Sequence, residues 1–205
     1  MEDKGERITR CFLALTFSKE DLAYPTALSS QMMEKLGRGC VKWVAPENLH
    51  LTIYFFGGLN KGRLMQARRA IERLAGAWDA VPVSWGGLGA FPSSRKAQVI
   101  WVGLNDLENR LTPLIDDTQA RLRDFGFGPP DKPFRAHLTL GRVRRGEKLD
   151  GAALEGSQGG LTPAPGPFMI RSMQLFRSIL RPQGPLYTTL VEAPSRGNEP
   201  PDEGE

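Results

Sequence analysis

Two short stretches, "HLTIYFFG" (residues 50–57) and "HLTLGR" (residues 137–142), repeat the word His-Leu-Thr and hold the only two histidines of the chain. Both stretches begin with alternating polar and apolar residues, as a strand with one buried face does. In such a strand a histidine and the threonine two residues later point to the same side. Each stretch therefore predicts a strand that buries its leucines and presents one imidazole and one hydroxyl on the opposite face.

The segments around the two words follow one order. His50 lies 38 residues after Phe12 in an apolar run, and His137 lies 38 residues after Val99 in another. Each half reads strand, helix, histidine strand, connector and hairpin. Because each half alone would leave one sheet face bare, we expect the halves to pack together. The predicted fold class is α+β, a pseudo-twofold duplicated fold of two lobes, with antiparallel sheets forming a central cleft and helices packed outside.

Local signals place the ends of several elements. Ser18 and Asp21 predict a capping box at the start of the first helix. In the second half, Asn105 or Asp106 is expected to cap the equivalent helix. The segment 86–96, rich in Gly, Pro and Ser, predicts a long loop between two strands of a hairpin.

Composition predicts a soluble globular protein with one domain. With 205 residues, 40% hydrophobic and 24% charged, we expect a single domain of two intertwined lobes over residues 8–192 and a disordered tail over 193–205. No stretch approaches the roughly 18 apolar residues of a membrane span, and the charged start lacks a secretory signal. Two cysteines provide no disulfide framework. We therefore expect a cytoplasmic monomer without membrane contact, and the net charge of +4 mildly favours an anionic partner.

The paired words suit phosphodiester chemistry. A neutral imidazole can take a proton from an attacking oxygen while an imidazolium gives one to a leaving oxygen. The hydroxyls of Thr52 and Thr139 can donate to phosphate oxygens where negative charge develops. No Cys, Asp or Glu cluster at metal-ligand spacing accompanies the histidines. The predicted catalytic residues are His50, His137, Thr52 and Thr139, with no metal and no other cofactor.

Three further residues are candidates for substrate binding. Arg142 closes the second word, although strict alternation places it on the leucine side unless a bulge at Gly141 turns it. Arg135 shares the His137 face in an ideal strand. Both arginines therefore stay open as phosphate contacts. Phe91, in the predicted loop, is the candidate for stacking on a ring of the substrate.

Both words fit the pattern H-x-[ST]-x, and in this the chain resembles the two-histidine (2H) phosphoesterases, which have a duplicated α+β fold. "KWVAPENLHLTIYFFG", "KPFRAHLTLGR" and "LFRSILRPQGPLYTTL" more closely resemble the RNA 2′,3′-cyclic phosphodiesterases, also called 2′-5′ RNA ligase family proteins, over residues 8 to 192. The resemblance implies metal-independent hydrolysis of RNA 2′,3′-cyclic phosphate ends to 2′-phosphates, with weak reversible ligation. It implies His50 as proton donor to the departing 3′ oxygen and His137 as proton acceptor from water. The residues alone leave these two roles exchangeable.

Two alternatives stay open from the sequence. One is a module that binds RNA ends with little turnover, although binding alone does not need two titrating groups. The other is a cyclic phosphodiesterase that acts on a small cyclic nucleotide. Hydrolysis assays on mononucleotide and oligonucleotide substrates would separate these hypotheses.

Overall fold

A computed structural model describes residues 8–37, 39–130, 132–149, 151–156, 161–181 and 184–197 of the chain. The strands are β1 (Thr9–Thr16), β2 (Val41–Trp43), β3 (Leu51–Leu59), β4 (Val81–Phe91), β5 (Val99–Asp106), β6 (His137–Val143), β7 (Phe168–Ile170), β8 (Ser172–Arg181) and β9 (Gly184–Pro194). The helices are α1 (Ala23–Leu36), α2 (Lys61–Glu72), α3 (Leu111–Asp124) and α4 (Gly151–Gly156), with 3₁₀ turns at Pro46–Asn48 and Ser94–Lys96. Over these ranges, no helix is long and apolar enough to cross a bilayer.

The strands form two antiparallel sheets that exchange hairpin strands. One sheet has the order β3-β1-β8-β9 and the other β2-β6-β5-β4-β7. Each leading strand, β1 or β5, pairs on one side with the histidine strand of its own half. On the other side it pairs with a strand from the other half, β8 or β4. The predicted duplicated α+β fold is confirmed, and neither sheet is complete without the other half.

The leading strand and the histidine strand pair in the same register in both sheets. The matching pairs are Ala14 with Thr52 and Trp101 with Thr139, followed by Leu13 with Tyr54 and Ile100 with Gly141. Thr52 lies 38 residues after Ala14, and Thr139 lies 38 residues after Trp101, as the sequence spacing predicts. Ile53 and Leu140 are left unpaired as the extra residue of a β-bulge, which changes the side to which later residues point.

Alternation along the strands separates a core face from a second face. In β1, Leu13 and Leu15 are fully buried in one hydrophobic core that runs beneath both sheets, while Phe12 lies on the opposite face. Helices α2 and α3 add Ile71 and Ile115 to the same core. Because this core covers only one face of each sheet, the second face stays available for a site.

The predicted capping side chains form hydrogen bonds, but each lies a few residues ahead of the helix that it was expected to begin. The Ser18 hydroxyl accepts from the Asp21 backbone N–H at 3.1 Å, and the Asp21 carboxylate accepts from the Ser18 backbone N–H at 3.3 Å, which is a capping box. Regular helix α1 begins two residues after Asp21. The Asp106 carboxylate accepts from the backbone N–H groups of Arg110 and Leu111, both at 2.9 Å, and so caps α3.

The predicted loop over residues 86–96 is wrong in its first half. Strand β4 continues to Phe91, with an irregularity between Trp85 and Leu88 that absorbs the glycines. The Trp101 ring lies against Gly89, where an added Cβ would come within 2.2 Å of that ring. Gly89 therefore serves close packing inside a strand, and residues 92–98 alone make the connection.

The predicted start of the tail at residue 193 is too early. Strand β9 includes Ala193 and Pro194, and buried Ser195 donates its backbone N–H to the carbonyl of Arg171 at 2.8 Å. Arg196 donates its backbone N–H to the carbonyl of Trp78 at 2.7 Å. Residues 193–197 thus belong to the fold, and residues 198–205 of the predicted tail lie outside the described part of the chain.

Candidate active site

A cleft of about 630 Å³ lies where the two histidine strands approach each other, on the face of the sheets away from the core. Both histidines and both threonines of the repeated words line it. The structure therefore brings together all four residues that were predicted to be catalytic, two from each half of the chain. A volume of this size suits a ligand such as a nucleotide, since small-molecule sites span roughly 300–1,000 Å³.

The two imidazoles are held in the same way. His50 Nδ1 lies 2.7 Å from the carbonyl oxygen of Asn48, and His137 Nδ1 lies 2.7 Å from that of Arg135. A carbonyl oxygen only accepts hydrogen bonds, so Nδ1 carries the proton in both rings. This fixes the tautomer and leaves Nε2 of each imidazole as the nitrogen available to a substrate in the cleft.

Aromatic rings pack against both imidazoles. The centroid distances from His50 are 4.8 Å to Phe12 and 5.3 Å to Tyr187, and those from His137 are 4.9 Å to Phe91 and 6.2 Å to Trp101. Such contacts restrict ring rotation and remove water from one side of each imidazole. The backbone hydrogen bonds and the aromatic walls together fix where each Nε2 lies.

Phe91 supports His137 from outside the cleft. Its ring meets the His137 imidazole edge-on, with an interplanar angle of 89°, and also packs on Trp101. Phe91 is absent from the described residues that line the cleft. The structure thus gives the predicted stacking residue a different place, at the end of a strand behind the imidazole.

Burial and positive charge lower the pKa of both histidines in the free protein. Burial, with smaller contributions from the charges of Arg142 and of a protonated His137, lowers the pKa of His50 to about 4 despite the opposing effect of the hydrogen bond to Asn48. Burial also lowers the pKa of His137, with smaller contributions from the charges of Arg142 and Arg135. An anion between the rings would act in the opposite direction, because it favours the protonated form.

The structure places Arg142 in the cleft and Arg135 outside it. The bulge at Leu140 shifts the alternation after Thr139, so exposed Arg142 lines the cleft beside the histidines. The residue after the bulge, Gly141, has to be small, because a Cβ there would lie 2.7 Å from Val41 Cγ1 on the neighbouring strand. The Arg135 guanidinium lies 5.6 Å from the centre of the Phe91 ring, behind His137.

The described lining of the cleft carries positive charge only. Arg10, Lys42 and Arg142 contribute cationic side chains, and no Asp or Glu occurs among the described lining residues. Cationic side chains that line a cleft attract an anionic ligand and strengthen its contacts. The arrangement therefore suits a phosphate group between two imidazoles.

Comparison with known proteins agrees with this site. Residues 24–179 match the sequence profile of the 2′-5′ RNA ligase superfamily. The chain belongs to this family. A protein of Archaeoglobus fulgidus named RNA 2′,3′-cyclic phosphodiesterase is 34% identical over 161 residues, which cover 78% of this chain and 86% of that protein. A protein of the same name from Thermotoga maritima is 26% identical, with coverage of 92% and 96%.

Solved structures share the fold of this superfamily member. The protein TT0787 of Thermus thermophilus matches with a TM-score of 0.72 and 24% identity, covering 93% of this chain and 100% of that one. E. coli LigT complexed with 3′-AMP matches with a TM-score of 0.66 and 21% identity, covering 92% and 99%. Both similarities extend over almost the whole chain, so the two-lobed fold described above is that of the family.

Phe55 is one of several cleft residues that were not predicted from the sequence. Phe55 follows His50 by five positions, as Arg142 follows His137, and each comes after the bulge of its strand. Phe55 lines the cleft with 71% of its surface exposed. Comparing the fifth position after each histidine would have identified it, because both positions carry a side chain suited to one part of a nucleotide.

Acid is expected to destabilise the fold through the buried imidazoles. Because the folded pKa of His50 is about 4, below the unfolded value of about 6.5, the unfolded chain binds the proton first as the pH falls. The stability present above pH 6.5 is then lost towards pH 4, by about 2 kcal/mol between pH 7 and pH 5 for this residue. Urea unfolding of wild type and His50→Gln at both pH values measures the effect. Equal losses in the two proteins would contradict it.

Proposed function

We propose that this member of the superfamily hydrolyses the 2′,3′-cyclic phosphate at the end of an RNA chain to a 2′-phosphate. The observation that carries the proposal is the pair of imidazoles, held alike through Nδ1, whose Nε2 atoms are available in one cationic cleft. Relatives that bear the name RNA 2′,3′-cyclic phosphodiesterase support the choice of substrate. Two imidazoles supply both proton transfers, so the proposed reaction needs no metal ion.

The proposed reaction is an attack of water on the cyclic phosphorus. Neutral His137 takes a proton from water through Nε2 while the water oxygen bonds to phosphorus. The bond from phosphorus to the 3′ oxygen breaks, and the imidazolium of His50 gives its proton to that oxygen. The product carries a 2′-phosphate and a 3′-hydroxyl. His137 ends protonated and His50 neutral, and exchange with solvent restores both.

The different surroundings of the two histidines support this choice of acid and base. The His50 ring bond is part-buried and the ring packs against Phe12 and Tyr187, so an oxygen leaving beside it is shielded from water. The corresponding bond of His137 is exposed, so His137 lies in the more solvent-accessible part of the site. These surroundings support His50 as the proton donor and His137 as the proton acceptor.

The phosphate itself would be held by the remaining cleft residues. Thr52 and Thr139 donate their hydroxyls to non-bridging oxygens, and Arg142 balances the charge that develops there. The bound anion raises the pKa of both histidines from their lowered values, so one can be protonated when substrate is present. Substrate binding and proton uptake are thereby coupled.

Phe55 would hold the terminal nucleoside. An exposed aromatic ring at the mouth of a cleft offers a stacking surface that accepts any base. Its equivalence to Arg142 means that one half of the duplicated fold contacts the base and the other the phosphate. If a 5′-hydroxyl of another RNA replaced water as the attacking group, the same groups would form a 2′-5′ linkage, which is the proposed weak ligation.

An assay with chelator tests the reaction class. We expect the purified protein to convert an oligonucleotide ending in a 2′,3′-cyclic phosphate to the 2′-phosphate alone, at the same rate with and without EDTA. Chromatography against 2′- and 3′-phosphate standards identifies the product. A 3′-phosphate product, or loss of activity in EDTA, would contradict the mechanism.

The same assay separates the two alternative functions. Binding of the cyclic end without turnover would indicate a module that only recognises RNA ends. A kcat/KM that is far higher on 2′,3′-cyclic mononucleotides than on oligonucleotides would indicate an enzyme for small nucleotides.

A further inference from the structure

We infer that Arg10 and Ser178 form an outer anion subsite that takes the phosphate linking the terminal nucleotide to the rest of the RNA. The inference rests on the proposed function, because it extends the same substrate by one phosphodiester. It assigns to this cleft a way to distinguish the end of a polymer from a free cyclic nucleotide.

Arg10 lines the cleft away from the two imidazoles. It shares the cleft face of β1 with Phe12, whose ring centroid lies 4.8 Å from that of His50. Two residues along a strand add roughly 6.5 Å. The Arg10 side chain therefore starts one step beyond the residue that contacts the imidazole, further out along the cleft than the position proposed for the cyclic phosphate.

Small residues flank Arg10 on the neighbouring strands. Gly58 of β3 is its cross-strand partner, and a Cβ there would lie 2.5 Å from the Ile8 side chain. On the other side, the register that pairs Cys11 with Arg177 places Ser178 opposite Arg10. Ser178 also lines the cleft, so a guanidinium and a hydroxyl share an open surface.

The Arg10 charge has no carboxylate partner among the described residues. The side chain is exposed, and the ion pairs recorded in the described part of the chain involve other arginines. A guanidinium that is free of an internal partner keeps its donors for a ligand, and it matches phosphate geometry well.

The chemistry of the substrate supplies the anion. A 2′,3′-cyclic phosphate occupies the 2′ and 3′ oxygens of the terminal ribose, so the chain continues through the 5′ oxygen alone. The next negative charge along an RNA is therefore the phosphate on that oxygen. A cyclic mononucleotide with a free 5′-hydroxyl lacks this charge. Exposed Phe55 and Leu180, which line the cleft on the strands flanking β1, leave apolar surface for bases on either side of it.

Three substrates test the subsite in wild type and Arg10→Gln. They are 2′,3′-cyclic AMP, the dinucleotide ApA with a terminal 2′,3′-cyclic phosphate, and the same dinucleotide with a neutral methylphosphonate linkage. We expect wild type to prefer the charged dinucleotide about tenfold or more over both other substrates, as for a hydrogen bond to a charged group. In Arg10→Gln the preference over the methylphosphonate dinucleotide should fall towards one, mainly through KM, because that pair of substrates differs only in the linkage. Arg10→Lys should keep part of it, and Arg69→Gln on α2, a matched charge removal outside the cleft, should keep all of it.

The outcomes separate this inference from the proposed function. If wild type hydrolyses none of the substrates, the proposed function fails. If wild type hydrolyses them without preferring the charged linkage, or if Arg10→Gln keeps the full preference, the outer subsite is wrong and the proposed function stands. A weaker dependence of KM on salt in Arg10→Gln would add support, since each phosphate contact on a single strand contributes about 0.7 to the logarithmic salt slope.

Discussion

Replacing His50 or His137 by alanine is expected to lower kcat/KM on a 2′,3′-cyclic phosphate end by about 10²–10⁴, the usual contribution of a positioned proton-transfer group. Each variant loses one Nε2 from the cleft and keeps the phosphate contacts. The loss should therefore fall on kcat more than on KM. Initial rates at several substrate concentrations measure it, with thermal unfolding at pH 7.5 as the control for folding. A single variant with near wild-type activity would rule out the two-histidine mechanism.

A sulfur substrate identifies which imidazole is the acid. If the 3′ bridging oxygen is replaced by sulfur, the leaving group departs as a thiolate, because thiols have a pKa of about 8.5. The acid is then dispensable while the base is still required. We expect His50→Ala to recover most of its activity on this substrate and His137→Ala to recover none. Recovery by His137→Ala instead would exchange the two roles.

Much of the fold was predictable because duplication left a mark in the sequence. The shared word His-Leu-Thr and the spacing of 38 residues from each leading strand both reappear in the ladders, where Ala14 pairs with Thr52 and Trp101 with Thr139. Alternation placed His50 on the face away from the core. Strand pairing, spacing and side-chain direction all follow from periodicity, so they could be inferred without contacts.

Residues 86–91 were wrongly predicted to be a loop, because contacts between strands outweigh the local sequence preference there. Glycine-rich segments normally indicate turns, because glycine weakens a strand. Here Gly89 is required by the indole of Trp101 on the next strand, which leaves no room for a Cβ. That contact joins residues of different strands, and no pattern within the segment signals it. The prediction that Phe91 stacks on substrate assumed that it lies in this loop. Phe91 instead ends strand β4 and packs against His137.

Bulges explain why Phe55 was missed. They also explain why the sequence did not decide between Arg135 and Arg142 as the phosphate contact. Strict alternation assigns both fifth positions, Phe55 and Arg142, to the buried side. One extra residue, Ile53 or Leu140, reverses this in each strand. Bulges depend on how the neighbouring strand pairs, and the sequence of a single strand does not fix them. The cleft face of the histidines was therefore predictable, whereas the residues beyond the bulge were not.

Replacing Arg142 by alanine should have the second largest effect. Its guanidinium lines the cleft, and loss of a preorganised cationic contact to a developing phosphate charge costs about 10²–10³ in rate. Arg142→Lys should retain part of the activity, because it keeps the charge and loses the planar fork of donors. Rates on a cyclic-phosphate oligonucleotide measure both variants, with Arg69→Gln as the control for charge removal elsewhere.

The pH profile distinguishes the loss of Arg142 from a general disturbance of the site. The Arg142 charge lowers the pKa of His50 and of His137. Its removal therefore raises both values, and both limbs of the bell-shaped profile should move to higher pH in Arg142→Ala. Arg135→Ala should move only the limb that belongs to His137, with a much smaller loss of rate, because its side chain lies behind that ring. A greater loss of rate in Arg135→Ala than in Arg142→Ala would make Arg135 the phosphate contact, and the bulge at Leu140 would then have no role in catalysis.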